Sequence, residues 1–525
     1  GAKPSWVTDK DGKTFLRKDL GEVVCKDEER TDWRLVPPQD EPGYYHAKLT
    51  LADPEGKTVA WNETTYSVLP KPRDLPFAQS GAGILPGSCV DWPSMGGRVT
   101  MTYGRHGADF GDQLDVLKKM GMKWIRVMGP GSWRIHELKQ GEYVWPWHAY
   151  LKAIKDRGMG VLIEFDSHDH APWSRGREFG KKQLYGKCTY APKPEDLEAF
   201  AERYAHEYKG KIDAVNFVNE VGGHPVDTYL ELIGALRRGI RKVSPEVIVQ
   251  GPGMPGDLFP NLSEKSWMAK IYAKGYADVT DVHGIHPYEA GQWQLIDSAR
   301  AEPIETYIYR QKLGKTEVEV VRDGIADLKA KYPGRPVWDT ESGYNFNTVA
   351  PWMYSPTEPR QIWYTERVAA ARLARWAILR RSAGVEKWIY FTFICHMFYH
   401  GLDICSFDGT PRAGVNALAT FWSVLDGSKP EKSKVLDDGT CLEKFVDADG
   451  FPVLVFWNPH LENEKPREFA LPSGCRVRRV ISCEGATIRP AERDGRLVLP
   501  LSDEPVYVIG HKTPDLDTTA SAIGM

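Results

Sequence analysis

Between residues 77 and 428 the chain alternates short apolar runs with amphipathic helices, and this alternation restricts it to an α/β architecture on parallel strands. The runs fall at 83–85, 124–128, 160–165, 214–218, 247–249, 279–285, 336–338 and 388–391. Between them, Phe110, Leu114, Leu117 and Met120 share one helical face and stop before Gly121. Leu197, Phe200, Tyr204 and Tyr208 do the same and stop before Gly210, and Leu232, Leu236 and Ile240 mark a third helix. Eight βα units fit either a doubly wound sheet or a closed barrel. The doubly wound form would want a glycine-rich phosphate loop after the first strand, and none follows Gly83-Ile84-Leu85. A (β/α)8 TIM barrel is therefore the expected core.

The flanks read differently. An alternating stretch at 43–51, a turn at Asp53-Pro54-Glu55-Gly56 and an extended run at 59–69 predict a small β-sandwich-like domain over residues 1–76. Strand-like runs at 443–446, 453–457, 477–481, 497–499 and 506–509 predict a second β-sandwich over 429–512. A small polar tail, 513–525, follows. With 68 basic and 71 acidic residues, the chain has no basic field for nucleic acid and no polybasic patch for a membrane surface. No apolar run approaches the roughly 20 residues a membrane-spanning helix needs. The eight cysteines show neither C-x-x-C nor zinc-ligand spacing. The opening Gly1-Ala2-Lys3-Pro4 lacks an initiator Met and an apolar signal core, so a processed or trimmed chain is expected. Eighteen Trp and 23 Tyr suit stacking against sugar faces, although aromatic rings also fill large cores.

In a TIM barrel the chemistry belongs at the carboxyl ends of the strands. Strand four ends in Asn219-Glu220 and strand seven in Asp339-Thr340-Glu341. Two carboxylates facing each other across the barrel mouth are what a retaining glycosidase needs, an acid/base and a nucleophile about 5–5.5 Å apart on opposite sides of the anomeric carbon. Either glutamate alone is weak evidence, because Glu is common at strand ends where it caps the next helix. Together, at those strand numbers and with Asn before the first, they are specific.

On these residues the chain resembles a clan A retaining glycoside hydrolase, and its layout is similar to glycoside hydrolase family 39. The resemblance covers the barrel and extends to the carboxyl-terminal sandwich with its Pro505-Val506-Tyr507-Val508 ending. It implies Glu220 as acid/base, Glu341 as nucleophile and Asn219 on the sugar 2-hydroxyl. Arg126 would hold the nucleophile ionised, and the His286-Pro287-Tyr288 motif would supply a phenol to it. The clan's Trp platform at the end of strand eight is replaced: Phe391 falls at that position, with Trp388 as the alternative platform. His168 and Trp173 after strand three are expected to line the sugar site, and Trp133 after strand two to extend the cleft. The expected activity is double-displacement hydrolysis of an oligo- or polysaccharide, with no cofactor or metal and no nucleic-acid or membrane partner. Such a role implies a secreted or periplasmic protein.

Two other readings use the same residues. His168-Asp169-His170 with His283 and His286 could begin a metal site, making a metal-dependent hydrolase. That reading wants His-x-His on strand one and Asp on strand eight, and neither is present. A non-catalytic sugar-binding protein on the same scaffold would be favoured if either glutamate were missing.

Overall fold

The computed structural model describes residues 2–9, 14–18, 40–86, 110–165, 170–178, 190–221, 224–288, 304–306, 314–344, 365–394, 402–405, 409–462, 464–473 and 475–511. Eight parallel strands form its centre: β5 (Ala82–Ile84), β6 (Trp124–Val127), β7 (Gly160–Phe165), β8 (Ala214–Phe217), β9 (Ile248–Gln250), β10 (His283–Ile285), β11 (Val337–Ser342) and β12 (Lys387–Tyr390). They are ordered β10-β11-β12-β5-β6-β7-β8-β9. Parallel bridges from Gln250 to Val282 and from Met254 to Ile285 join the two ends, so the sheet closes into a barrel.

Inward-facing side chains fill this barrel in layers. The lower layer is apolar: Trp124, Leu162, Ala214, Val282, Trp338 and Ile389 form one buried cluster. Lys387 plugs the bottom, its ammonium donating to the Ser80 carbonyl at 2.6 Å and lying over the Trp124 ring at 4.8 Å. Two residues further along β6 to β9 and β11, the same alternation brings Arg126, Glu164, Asn216, Gln250 and Thr340 to the upper layer. All five are buried. The barrel is thus dry at one end and polar at the other, and the polar end carries the chemistry.

The outer layer follows the helical spacing in the sequence. Leu197, Phe200 and Tyr204 of the Pro194–Glu207 helix and Leu232, Leu236 and Ile240 of the Val226–Val243 helix are all buried. One predicted strand is shorter than its apolar run. Val279 closes a short helix, Tyr276–Val279, and Asp281 accepts from the Val249 amide and from Arg241, so only His283–Ile285 pairs as β10.

The amino-terminal flank is a four-stranded antiparallel sheet ordered β2-β1-β3-β4, made of β1 (Ala2–Asp9), β2 (Thr14–Lys18), β3 (Gly43–Ala52) and β4 (Thr58–Val68). The carboxyl-terminal flank has two facing sheets. β13 (Lys429–Val435), β14 (Cys441–Val446), β15 (Pro452–Trp457), β20 (Val506–Gly510) and β17 (Val477–Ile481) form one. β16 (Arg467–Ala470), β19 (Arg496–Leu501) and β18 (Ala491–Arg493) form the other. Leu442, Leu454 and Phe456 meet Leu499 and Leu501 between them.

Both flanks brace the barrel through the Glu366–Ala383 helix and its neighbour Ala413–Leu425. The first is buried almost all round, which explains its run of alanines. Its buried arginines each meet an acid: Arg372 grips Glu462 through two 2.8 Å hydrogen bonds, Arg375 Nε lies 3.3 Å from Glu305, and Arg380 donates to Glu317 at 2.5 Å. Trp457 of β15 also donates to Glu305 at 2.8 Å. Asn416 of the second helix donates to the Val68 carbonyl at 2.8 Å.

Asp339 faces this outer layer from β11, fully buried, with the Arg380 Nε 3.7 Å away. Burial pushes its carboxyl up to about 7, although Arg380 and a hydrogen bond from Ser342 act against the rise. A folded-state pKa above the unfolded value stabilises the protein at low pH, and that stability is lost as pH rises through about 7. Asp339→Asn removes the titration. Its melting temperature relative to the parent should therefore increase between about pH 4 and pH 8, by the equivalent of on the order of 4 kcal/mol at most. A difference that stays flat across that interval would show that Asp339 does not titrate there.

Candidate active site

Arg126 is the hub of the polar end. It projects inward from β6 and is fully buried. Its Nη1 donates to Glu341 Oε2 at 2.5 Å and to the Thr340 carbonyl at 2.8 Å. Its Nη2 donates to Glu164 and, at 3.0 Å, to Asn219 Oδ1. Burial by itself would lower the guanidinium pKa, but Glu341 and Glu164 outweigh it and raise it. A buried cation of this kind survives only with paired anions.

Glu341 reaches the site through a break in strand periodicity. Asp339 pairs with Trp388 and Ser342 with Tyr390, so three steps on β11 answer two on β12. The extra residue is a bulge. It lets Thr340 and Glu341, neighbours that would otherwise point to opposite faces, both turn inward. Tyr288 donates to Glu341 Oε1 at 2.9 Å. Burial pushes the Glu341 carboxyl up, but the Arg126 charge and the hydrogen bonds from Tyr288 and Arg126 overcome it and hold the group below the usual range. The Tyr288 phenol is driven well above its ordinary pKa by burial and by the charges of Glu341 and Glu220, so it remains a donor.

Glu220 is placed by a second local departure. Val218 and Glu220 have φ of 60° and 51°, left-handed values that are costly for residues with a Cβ and worst for a β-branched one. The bend carries Asn219 to Arg126 and Glu220 to the His286 ring, whose Nδ1 lies 3.0 Å from Glu220 Oε1. His286 Nε2 lies 3.1 Å from Thr340 Oγ1. Gly253 makes room for this imidazole: a Cβ there would stand 1.9 Å from His286 Cδ2.

The structure thus brings Arg126, Asn219, Glu220, His286, Tyr288 and Glu341 together. Phe391 is on the same side, buried with Leu85 and Leu402 and edge-on to Tyr288 at 6.5 Å. Trp388 is not there. It points outward, donates to Ser342 Oγ at 2.8 Å and packs against Trp376 and Trp422, because strand alternation sends it to the face opposite Ile389. Trp133 does not extend a cleft either. It is buried, stacked on Phe200 at 4.8 Å, with its indole N–H on Glu137. Trp173 is half-buried, its ring edge-on to Trp133 at 5.6 Å. His168 lies outside the described residues.

His283 is spent elsewhere, with Nδ1 2.7 Å from the Tyr272 hydroxyl and Nε2 2.8 Å from the Leu258 carbonyl in the helix layer. It therefore cannot join the metal set considered from the sequence. Among the described residues, Glu220, His286 and Glu341 are the group spaced to hold a cation, with ligand atoms within 4.8 Å of one another. They fit one poorly. Both Glu341 oxygens already accept from Arg126 and Tyr288, both His286 nitrogens are engaged, and the guanidinium repels a divalent ion.

Glu164, Gln250 and Thr340 belong to the site and were missed. Glu164 and Gln250 lie two positions beyond the inward-facing Leu162 and Ile248, so period two could have found them. Thr340 lies two positions beyond the inward-facing Trp338 and follows the same period, whereas Glu341 joins it on the inner face through the bulge. For Gly253, an alanine must displace His286. Gly253→Ala should keep the parent's far-ultraviolet circular dichroism while the Glu220–His286 contact is lost. Hydrolysis of an aryl β-glycoside should drop by about tenfold or more. Parent-level turnover would mean that the ring can shift without consequence.

The sequence matches no family model and no curated protein. Many solved structures are similar in fold, among them three glycoside-cleaving enzymes. A family 39 glycoside hydrolase from Bacteroides cellulosilyticus WH2 has a TM-score of 0.65 at 20% identity, covering 90% of this chain and 88% of its own. The catalytic domain of GH30 xylanase C from Talaromyces cellulolyticus gives 0.53 at 14%, covering 82% and 96%. A monomeric beta-xylosidase from Caulobacter crescentus CB15 gives 0.50 at 15%, covering 85% and 98%. At these identities the likeness is one of architecture: a TIM barrel with flanking sheets, in the arrangement found among clan A glycoside hydrolases.

Proposed function

We propose that this protein is a retaining β-glycosidase acting on an oligo- or polysaccharide. The carrying observation is the separation of the two glutamates: an oxygen of Glu220 and one of Glu341 lie within 4.8 Å. Retaining enzymes hold their carboxyl groups about 5–5.5 Å apart, whereas inverting ones leave about 6.5–9.5 Å for a water. The environments diverge as the roles require. Glu341 is clamped as an anion by Arg126 and Tyr288, while Glu220 Oε1 lies 3.0 Å from the His286 Nδ1. The glycosidase neighbours make a sugar substrate the natural choice, and the xylosidase and xylanase among them make β-xylosides the first compounds to try.

In the first step Glu341 attacks the anomeric carbon as Glu220 gives its proton to the departing glycosidic oxygen. The C–O bond to the leaving group breaks, and a glycosyl ester on Glu341 forms. In the second, Glu220 takes a proton from water, whose oxygen displaces Glu341 and restores the original anomeric configuration. Arg126 stabilises the carboxylate before attack and again as it leaves. Asn219, held through Oδ1 by Arg126, has its amide N–H groups available to the sugar.

Proton NMR of the first-formed product should show the anomer of the substrate, and an inverted anomer would exclude Glu341 as nucleophile. Glu220→Ala should still be glycosylated by a dinitrophenyl glycoside, whose leaving group needs no proton, and azide should rescue its turnover. Glu341→Ala should lose every substrate. Equal losses on activated and unactivated substrates would reject this division of roles. Arg126→Gln removes the largest of the influences that oppose burial at Glu341, so the acidic limb of kcat/KM should move to higher pH. An unmoved limb would show that Arg126 does not set that ionisation.

A further inference from the structure

Thr340 Oγ1 lies between two groups, Gln250 Nε2 at 2.9 Å and His286 Nε2 at 3.1 Å. The Gln250 amide can be oriented by its surroundings. The same Nε2 faces the Gly251 carbonyl at 3.4 Å and Asn216 Oδ1 at 3.1 Å. A backbone carbonyl only accepts, so the end of the amide turned toward it is the NH2 group. Thr340 Oγ1 therefore accepts from Gln250, and its own hydrogen is left for His286 Nε2. A neutral imidazole that accepts at Nε2 carries its hydrogen on Nδ1, and that atom faces Glu220 Oε1 at 3.0 Å. Gln250, Thr340 and His286 are fully buried, so the direction of this chain is set by protein groups. The backbone is shaped around it: a Cβ on Gly284 would stand 2.4 Å from Gln250 Nε2.

We propose that Gln250 and Thr340 are positioning residues that hold His286 in its Nδ1–H tautomer, so that Glu220 accepts at Oε1 and carries its catalytic proton on Oε2. The proposal rests on the acid/base reading of Glu220. In the opposite tautomer Nδ1 would present a lone pair to Oε1. The Glu220 proton would then be drawn to that hydrogen bond and away from the glycosidic oxygen, with no change in total charge.

The tautomer can be read without any substrate. Nitrogen-15 NMR of the imidazoles distinguishes a protonated from a bare ring nitrogen. The His286 signal is the one absent in His286→Gln. The parent should show Nδ1–H. Thr340→Val, which keeps the shape and removes the hydroxyl, should populate Nε2–H, and Thr340→Ser should restore the parent tautomer. Gln250→Glu offers an acceptor in place of the donor, so the Thr340 hydrogen turns toward it and Nε2–H should dominate even if the valine variant does not fold. In kinetics, Thr340→Val should lose about 10–100-fold in kcat/KM on phenyl β-xyloside, whose leaving group needs the Glu220 proton, and stay within about threefold in kcat/KM on the dinitrophenyl xyloside, whose leaving group does not. Thr340→Ser should recover the loss. A parent signal with Nε2–H, or a parent-like tautomer in both Thr340→Val and Gln250→Glu, would overturn the proposal. If no glycoside is turned over by the parent, the glycosidase reading fails, and the tautomer result still decides the hydrogen-bond chain.

Discussion

A single buried guanidinium governs the polar end of this barrel. Arg126 would be intolerable in a protein interior unless neutralised, and the fold supplies Glu341 on one side and Glu164 on the other. Two carboxylates against one arginine leave a net negative charge in a buried site, which Tyr288 shares by donating to Glu341. The arrangement keeps one glutamate ionised in a place where burial alone would protonate it. The same arginine also orients Asn219 and grips the backbone at Thr340. Removing any one partner would leave a charge or a donor unmet.

The outer architecture keeps this end of the barrel in register. Arg380 donates to the Pro287 carbonyl at 2.6 Å as well as to Glu317, so the Glu366–Ala383 helix holds the segment between His286 and Tyr288 from behind. Trp388 supports Ser342, the residue after Glu341, from the same side. The carboxyl-terminal sandwich in turn grips that helix through Glu462 and the Glu305 segment through Trp457. The carboxyl-terminal sheets thus brace the helix that backs the segments carrying Tyr288 and Glu341.

Much of this was legible in the residues. Helical and strand periods reflect which face of an element is buried, so they locate eight βα units and the apolar faces of the helices without any tertiary information. Glu220 and Glu341 could be found because strand ends in a barrel converge on one mouth, whatever the details of each strand. The Trp assignments fared worse. A Trp beside a predicted site is equally suited to a sugar face and to a core, and Trp133 and Trp388 went to the core. Alternation along β12 already separates Trp388 from Phe391, but only once the strand's inward face is known.

What the sequence determined by itself is the order of elements, the burial of their faces and the chemical types that converge on the mouth, because these follow from local periodicity and chain order. Tertiary structure alone decided which neighbours point inward. The bulge that turns Thr340 and Glu341 to the same side, and the left-handed bend at Val218 and Glu220, both break the period that sequence reading relies on. Such departures are held in place by contacts from distant strands, here Arg126 on β6 and His286 beyond β10, so nothing local announces them.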